Sequence, residues 1–152
     1  MRLWSRCANC GEEDALDVRA LGELQHCASC GVERSPLGTP FALTSPRQLA
    51  ALDAGTLPVV VCYGAGWCVE THRTEASLEA LAEAAKGRMV VVSVDVDAHP
   101  QLAERARVRS LPTLAVRIEG RETIRHRGAM QPEALRRWAG HWTEAGQNSA
   151  GV

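Results

Sequence analysis

The sequence predicts an open α/β sandwich that follows a small cysteine-rich unit. Three observations support this fold class. The chain has 152 residues, close to the usual size of one compact domain, so any second unit must be small. From residue 45 onward, apolar runs of strand length alternate with segments of helical periodicity. Before residue 31, four of the six cysteines form two Cys-x-x-Cys pairs.

The cysteine-rich unit has the spacing of a metal site. Its four cysteines are Cys7, Cys10, Cys27 and Cys30. The sixteen residues between the two pairs fall inside the interval of four-cysteine zinc sites, in which two Cys-x-x-Cys turns close a tetrahedron around the ion. Four protein ligands leave no position for a catalytic water, so we predict one structural zinc ion in a zinc ribbon over 1–36. His26 is an alternative ligand, and a pair of disulfides is the alternative chemistry.

The longer second unit, predicted over 40–145, begins with a proline-rich linker and a short helix. Ser45-Pro46 is an N-cap residue followed by a first-turn proline, which predicts a helix over 46–54. The run Val59–Tyr63 is apolar and mostly β-branched, as in a central strand that is buried on both faces.

Alternating patterns continue to the end of this unit. They predict a helix over 71–85, a strand over 89–96, a helix over 100–107, a hairpin of strands over 113–118 and 122–127, and a helix over 132–142. This order favours parallel strands with an antiparallel hairpin at one edge. We expect residues 146–152 to form a flexible tail.

Composition excludes several classes of partner. Lysine and arginine number 17 against 18 acidic residues, so the chain lacks the positive excess that binding to nucleic acid would need. The first residues have no apolar core of a signal peptide, and the longest aliphatic runs are too short to span a bilayer. We therefore expect a cytoplasmic protein without a nucleic-acid or membrane partner.

Three motifs of the second unit resemble the thioredoxin family. Tyr63-Gly-Ala-Gly-Trp67-Cys68 lies at the end of the predicted central strand, Arg109-Ser-Leu-Pro-Thr-Leu114 precedes the hairpin, and Arg127-Gly-Ala129 follows it. The resemblance covers about residues 40–142. Because the cysteine-rich unit precedes this part, the whole chain is similar to the bacterial thioredoxin 2 type, which has an N-terminal zinc ribbon. The resemblance implies the thioredoxin fold, a central mixed sheet flanked by helices.

The resemblance also implies an active site. Cys68 matches the nucleophilic cysteine, at a helix N-terminus whose free N–H groups favour a thiolate. The substrate groove would be formed around it by Trp67, Thr71, Leu111, the cis-proline Pro112, Gly128 and Ala129. The implied partners are protein disulfides or bound peptides, with a reductase or a small thiol such as glutathione.

The sequence departs from the family where the disulfide chemistry is done. The segment Trp67-Cys68-Val69-Glu70-Thr71 has Thr71 in place of the resolving cysteine, whose thiol normally releases the mixed disulfide. The carboxylate of Glu70 should oppose a thiolate at Cys68, whereas a protonated His72 would favour it, so the direction of the net pKa shift stays open.

A second departure lies in the predicted core. Cys62 replaces the buried aspartate of the family, and Ser93 replaces the lysine that pairs with it. Cys62 is then either a small buried apolar residue or a relocated resolving thiol. The second alternative requires the Cα atoms of Cys62 and Cys68 to lie within about 7 Å.

Two functions remain compatible with these residues. The favoured one is a thiol–disulfide oxidoreductase, with a role in redox homeostasis, that acts on protein disulfides through Cys68 as a single nucleophile. The alternative is a non-catalytic, chaperone-like module that keeps the peptide groove around Trp67 and Pro112.

Overall fold

The computed structural model describes the backbone of residues 1–150 and the side chains of residues 1–144. The head, residues 1–36, has the strands β1 (Arg2–Arg6), β2 (Glu13–Asp17), β3 (Gln25–His26) and β4 (Glu33–Ser35) and the short 3₁₀ helix Val18–Ala20. The body has the strands β5 (Phe41–Ala42), β6 (Val59–Gly64), β7 (Val90–Asp95), β8 (Thr113–Ile118) and β9 (Arg121–Arg127). Its helices are α1 (Pro46–Asp53), α2 (Val69–Ala84), α3 (Pro100–Arg105) and α4 (Pro132–Ala150).

The head consists of two antiparallel hairpins, β1–β2 and β3–β4. Each Cys-x-x-Cys segment is the turn of one hairpin. In both turns a glycine with positive φ follows the second cysteine, Gly11 at 78° and Gly31 at 80°. The N–H of each glycine donates to the carbonyl of the first cysteine of its turn, at 2.9 Å. The conformational freedom of glycine thus closes both turns.

The body is built on one mixed sheet in the order β5-β7-β6-β8-β9. Strand β6 pairs in parallel with β7 and antiparallel with β8, and β8–β9 is the predicted hairpin. Its turn, Glu119-Gly120, has positive φ at both residues, 52° and 78°, as a two-residue hairpin turn requires.

Many of the predicted boundaries are off by one or two residues, and three differences concern β5, α2 and α4. Strand β5 was not predicted, because its two residues lie within the proline-rich linker. Helix α2 begins at Val69 instead of 71, since its N-cap residue Cys68 makes no side-chain capping bond that would mark the start. Helix α4 continues to Ala150, past the predicted end at 142. The predicted tail, 146–152, lies outside the residues whose side chains are described, so it stays a prediction.

Strand β6 divides the core into two clusters. All six of its residues are buried. Val59, Val61 and Tyr63 face a cluster that contains α1, and Val60 and Cys62 face the cluster beneath α2 and α4. This alternation is the period of two expected of a strand covered on both sides. None of the described helices is long and apolar enough to cross a membrane.

The head shares the first of these clusters with the body. Its contribution consists of Leu3, Leu16, Val18 and Leu21, all of which are at most 2% exposed. Gln48 in α1 also donates from Nε2 to the carbonyl of Trp4 at 3.0 Å. The head is therefore held by apolar packing against the body as well as by its cysteine cluster.

The shared core predicts that a substitution in the head destabilises the whole chain. Leu16→Ala should lower the free energy of unfolding by about 2–5 kcal/mol, because a buried Leu→Ala change loses apolar burial and leaves a cavity. Guanidinium denaturation followed by circular dichroism measures this change. The matched control is Leu24→Ala, since Leu24 is 59% exposed in the same head. Equal effects of the two substitutions would show that the head does not contribute to the common core.

Candidate active site and metal centre

Cys68 lies where β6 leads into α2. The loop Ala65–Trp67 follows the strand, and Cys68 is the N-cap residue of the 16-residue helix, with an extended backbone at φ −92° and ψ 115°. Its N–H donates to the carbonyl of Ala65 at 3.1 Å, which fixes the turn. The sulfur is partly exposed and faces the first free N–H groups of the helix.

The surroundings of Cys68 lower the pKa of its thiol. The largest cause is a hydrogen bond from the Thr71 hydroxyl, followed by one from the backbone N–H of Thr71. Burial of the thiol and, more weakly, the Glu70 carboxylate act in the opposite direction. The net pKa shift of Cys68 therefore favours the thiolate, and Thr71, in the place of the resolving cysteine, is its main source.

The two ionisable neighbours of Cys68, Glu70 and His72, both interact with other groups of the protein. Glu70 forms an ion pair with Arg73 at 2.9 Å. His72 is hydrogen-bonded through Nε2 to the carbonyl of Gly66, and its Nδ1 lies 3.4 Å from the Glu75 carboxylate. The Gly66 carbonyl, with a further contribution from Glu75, raises the pKa of His72. His72 thereby links the loop that precedes Cys68 to the first turns of α2.

A groove of about 450 Å³ opens beside Cys68. Its lining includes the predicted residues Trp67 and Leu111, and also Arg109. The Trp67 ring is 71% exposed, and its Nε1 donates to the Asp97 carboxylate at 2.8 Å. Asp97 was not identified from the sequence as a residue of the site. Its position just past the carboxyl end of β7, the strand that pairs with β6, could have indicated that it lies near Trp67. An exposed ring held in one orientation offers apolar surface to a bound chain.

The cis-proline loop forms the other wall of the site. The Leu111–Pro112 peptide bond is cis, as the resemblance implies, and the carbonyl oxygen of Leu111 lies 3.9 Å from the Cys68 sulfur. Gly128, with φ 103°, donates its N–H to the Pro112 carbonyl at 2.8 Å. The groove beside Cys68 is not lined by Pro112, Gly128 or Ala129. The hydrogen bond between Gly128 and Pro112 joins the cis-proline loop to the segment that follows β9.

Thr71 is packed against the end of β6. It is 8% exposed, and its hydroxyl accepts the N–H of Ala65 at 3.3 Å. A Cβ atom at Gly64 would overlap the Thr71 γ-methyl group, so glycine is required for this close approach. Thr71 therefore lies under Cys68 as a buried support and not as an exposed part of the groove.

Cys62 lies beneath the site in a separate cavity of about 200 Å³. It pairs in register with Ser93 on β7, and both residues line this cavity with Thr71 and Glu75. Burial raises the pKa of Cys62 to about 12, so the thiol is protonated near neutral pH. Cys68 opens onto the groove and not onto this cavity, and both cysteines are free thiols. These observations favour Cys62 as a buried apolar residue over a resolving thiol.

The four head cysteines converge on one point. Their sulfur atoms all lie within 4.8 Å of one another, and Cys7–Cys30 and Cys10–Cys27 are each 3.8 Å apart. A tetrahedron with Zn–S bonds of about 2.3 Å places its sulfur atoms about 3.8 Å apart. Among the described residues, this cluster consists of the four cysteines and does not include His26. The donor set can hold a metal ion.

One polar contact favours the thiolate form of a single member of this cluster, Cys30. Asn9 donates from Nδ2 to the sulfur of Cys30 at 3.4 Å. This hydrogen bond is the main cause that lowers the pKa of Cys30 to about 6. A thiolate is the form in which cysteine binds a metal.

Comparisons with known proteins agree with this geometry. The family model described as thioredoxin matches residues 47–141. Thioredoxin C-3 of Corynebacterium nephridii is 28% identical over 134 residues, which are 87% of this chain and 90% of that protein. Thioredoxin 1 of Chlorobaculum tepidum is 35% identical over 80 residues, which are 53% of this chain and 79% of that protein.

Solved structures give the same result. A mutant thioredoxin from Halobacterium salinarum superimposes with a TM-score of 0.65 at 25% identity, covering 70% of this chain and 93% of that one. Thioredoxin from Fasciola hepatica gives a TM-score of 0.62 at 26% identity, covering 67% and 98%. The predicted fold, a central mixed sheet flanked by helices, is confirmed.

The hydrogen bond from Thr71 predicts the reactivity of Cys68. Thr71→Val removes the hydroxyl at nearly constant volume, so the pKa of Cys68 should rise and alkylation by iodoacetamide near pH 7 should slow by about three- to tenfold. The pH dependence of alkylation, measured by mass spectrometry of the Cys68 peptide, should move to higher pH.

The control for this experiment is Thr74→Val. Thr74 is buried on the same helix, and its hydroxyl donates to the Glu70 carbonyl at 2.9 Å instead of to Cys68. An unchanged pH profile in Thr71→Val, or an equal shift in both variants, would mean that the Thr71 hydroxyl does not stabilise the thiolate.

Proposed function

The chain belongs to the thioredoxin family, and from this premise we propose that it reacts with protein disulfides through Cys68 as its single redox-active thiol. The observation that carries the proposal is the environment of Cys68: a partly exposed sulfur at a helix N-terminus, beside a cis-proline loop, with a lowered pKa. These are the properties of a cysteine nucleophile.

The first half of the reaction forms a mixed disulfide. The Cys68 thiolate attacks one sulfur of the substrate disulfide, a Cys68–substrate S–S bond forms, and the other substrate sulfur leaves as a thiolate that takes a proton from water. The Leu111 carbonyl beside the sulfur and the exposed Trp67 ring lie where the substrate chain must approach.

The second half needs a thiol from outside the chain. Thr71 has no sulfur, and the Cys62 thiol is buried and protonated. A small thiol such as glutathione, or a cysteine of a second protein, therefore attacks the mixed disulfide. With glutathione, one molecule expels the bound half and a second releases Cys68, so that the substrate is reduced and glutathione disulfide is formed.

Thr71 assists this second half. Each release step expels either the substrate sulfur or the Cys68 sulfur, and a thiol with a lower pKa leaves faster. The hydroxyl that lowers the pKa of Cys68 thereby promotes release of the free enzyme. In this proposal Thr71 is a positioning residue for the thiolate.

The head is part of the proposal as a structural zinc site. Cysteine thiolates in a four-sulfur tetrahedron are typical zinc ligands, and the observed sulfur separations fit such a tetrahedron. Free thiols persist in a reducing compartment, so a cytoplasmic location belongs to the same proposal. Because the head shares its apolar cluster with the body, the ion would stabilise the body as well.

A second candidate function is peptide binding without turnover. The exposed Trp67 ring and the adjoining groove favour it, since they can hold an extended chain whether or not Cys68 reacts. The two functions differ in the covalent product, because only the oxidoreductase forms a mixed disulfide.

Reduction of insulin distinguishes them. Without added thiol, the reduced protein should form a Cys68–insulin mixed disulfide, at most one per chain, and stop there without completing a turnover, because it has no resolving thiol. With glutathione it should turn over repeatedly, faster than glutathione alone. Mass spectrometry identifies the adduct, and turbidity of the released insulin chains gives the rate.

Two variants complete the insulin experiment. Cys68→Ser should abolish both the adduct and turnover, whereas Cys62→Ala should retain both. Binding of insulin without any adduct at Cys68 would support the peptide-binding module instead. Repeated turnover without added thiol that Cys62→Ala abolishes would identify Cys62 as a resolving thiol and contradict the proposal.

The metal proposal has its own measurement. Protein purified under reducing conditions should contain about one zinc ion per chain by elemental analysis, and its cobalt-substituted form should show the visible absorption of tetrahedral thiolate ligation. Cys10→Ser should lose most of the metal and lower the melting temperature, while Cys62→Ala should keep the metal. Equal metal content in the two variants would exclude the four-cysteine site.

A further inference from the structure

An arginine-rich concavity of about 530 Å³ lies on the face where α3 ends against β8 and β9. Its lining contains one acidic residue, Glu122, and six arginines: Arg105, Arg107, Arg109, Arg117, Arg125 and Arg127. The whole chain has a net charge of −1, so this face concentrates positive charge far beyond the average of the molecule.

Two of these arginines are neutralised within the fold. Arg117 donates to both carboxylate oxygens of Asp53, at 3.0 and 2.7 Å. Arg125 is paired with Glu122 at 2.8 Å and also donates to the carbonyl of Arg107 at 3.2 Å. They are structural members of the concavity and are not free to bind an anion.

The other four arginines are exposed: Arg105, Arg107, Arg109 and Arg127. Within the part of the chain whose side chains are described, none of them forms an ion pair. They come from α3, the following loop and β9, and we call them the arginine surface. Like charges gathered on one face repel one another unless an anion lies between them.

The arginine surface is continuous with the groove at Cys68. Arg109 lines both the concavity and the groove. Arg127 pairs with Thr113, the residue after Pro112, and precedes Gly128. A chain bound in the groove therefore has the arginine surface at one of its sides.

We propose that the arginine surface docks an acidic segment of the protein whose disulfide reacts at Cys68. This inference rests on the proposed function and names the class of substrate for it. The groove supplies apolar contacts next to the disulfide, and the four arginines supply charge-assisted hydrogen bonds to carboxylates farther along the same polypeptide.

A polypeptide fits this surface better than a small anion or a nucleic acid does. The four exposed arginines line one concavity, and a small dicarboxylate has only two carboxylates to offer them. The surface also adjoins an apolar groove with an exposed tryptophan, beside the sulfur that must meet a disulfide. An acidic polypeptide that carries this disulfide can contact the arginine surface and the apolar groove at the same time.

The test uses two synthetic peptides with one cysteine each, activated as the mixed disulfide with 2-thiopyridine. In one peptide the cysteine is flanked on both sides by glutamates, and in the other by glutamines. The reduced full-length protein is mixed with each peptide, and release of thiopyridone gives the rate of attack by Cys68. Wild type should attack the glutamate peptide about tenfold faster at low ionic strength, and high salt should bring the ratio close to one.

Matched variants assign the preference to these residues. In Arg105→Gln/Arg109→Gln/Arg127→Gln the glutamate-to-glutamine rate ratio should fall close to one. In the control Arg19→Gln/Arg47→Gln/Arg121→Gln, which removes three exposed arginines outside the concavity, the ratio should stay at the wild-type value. The ratio is insensitive to a change in the intrinsic reactivity of Cys68, because both peptides carry the same leaving group.

The outcomes separate this inference from the proposed function. Equal rates for the two peptides in wild type, or a preference that survives in the triple variant, would overturn the docking surface while leaving the chemistry of Cys68 intact. Absence of reaction with either peptide would contradict the proposed function itself. Arginine-dependent acceleration seen with glutathione disulfide but not with the glutamate peptide would assign the surface to a small anion. Arginine-dependent binding of an oligonucleotide, with no peptide preference, would assign it to nucleic acid.

Discussion

The complete burial of strand β6 is the constraint on which the rest of the structure depends. Its side chains alternate between two apolar clusters, so a shift by one residue would move each set of side chains into the cluster that packs around the other set. This fixed register places the loop after Gly64, and hence Cys68, at the carboxyl end of the central strand. The same register presents Val59, Val61 and Tyr63 to the cluster that the head completes. One strand thus positions both the reactive sulfur and the head that carries the cysteine cluster.

The interior below Cys68 is consistent with the loss of an internal resolving thiol. A resolving cysteine at position 71 would need a nearby base to accept its proton, and Cys62 and Ser93 supply neither a carboxylate nor an amine. The Glu75 carboxylate lines the same cavity as these two residues, but it lies 3.4 Å from Nδ1 of His72 and is paired there. Thr71, which packs against Gly64, lines the same cavity. The hydroxyl of Thr71 acts on the Cys68 thiolate through a hydrogen bond, which needs no proton acceptor. The substitutions are therefore compatible with one another as a monothiol site.

Much of the fold could be predicted from the sequence, and less of the site, for physical reasons. Val59–Gly64 was recognisable because a buried β-branched run has a strong local signal, whereas the two-residue strand β5 is determined by its partner β7. The apolar character of Leu16 indicates burial but does not identify the body as the surface that covers it. At the site, Glu70 and His72 have opposite effects on the pKa of Cys68, and their spacing in the sequence does not show which effect is larger. Only side-chain orientation shows that the Thr71 hydroxyl outweighs the Glu70 carboxylate.

A single-cysteine mechanism changes where substrate selectivity must arise. With two cysteines, a poorly matched mixed disulfide is released by the neighbouring thiol within the same molecule. With Cys68 alone, a wrong partner stays covalently bound until an external thiol arrives, so discrimination has to precede the attack. Long-range charge acts at that earlier stage, because it raises the encounter rate of complementary partners before any bond forms. In the proposed monothiol reaction, the exposed arginines next to the groove would therefore select the partner before Cys68 forms a covalent bond with it.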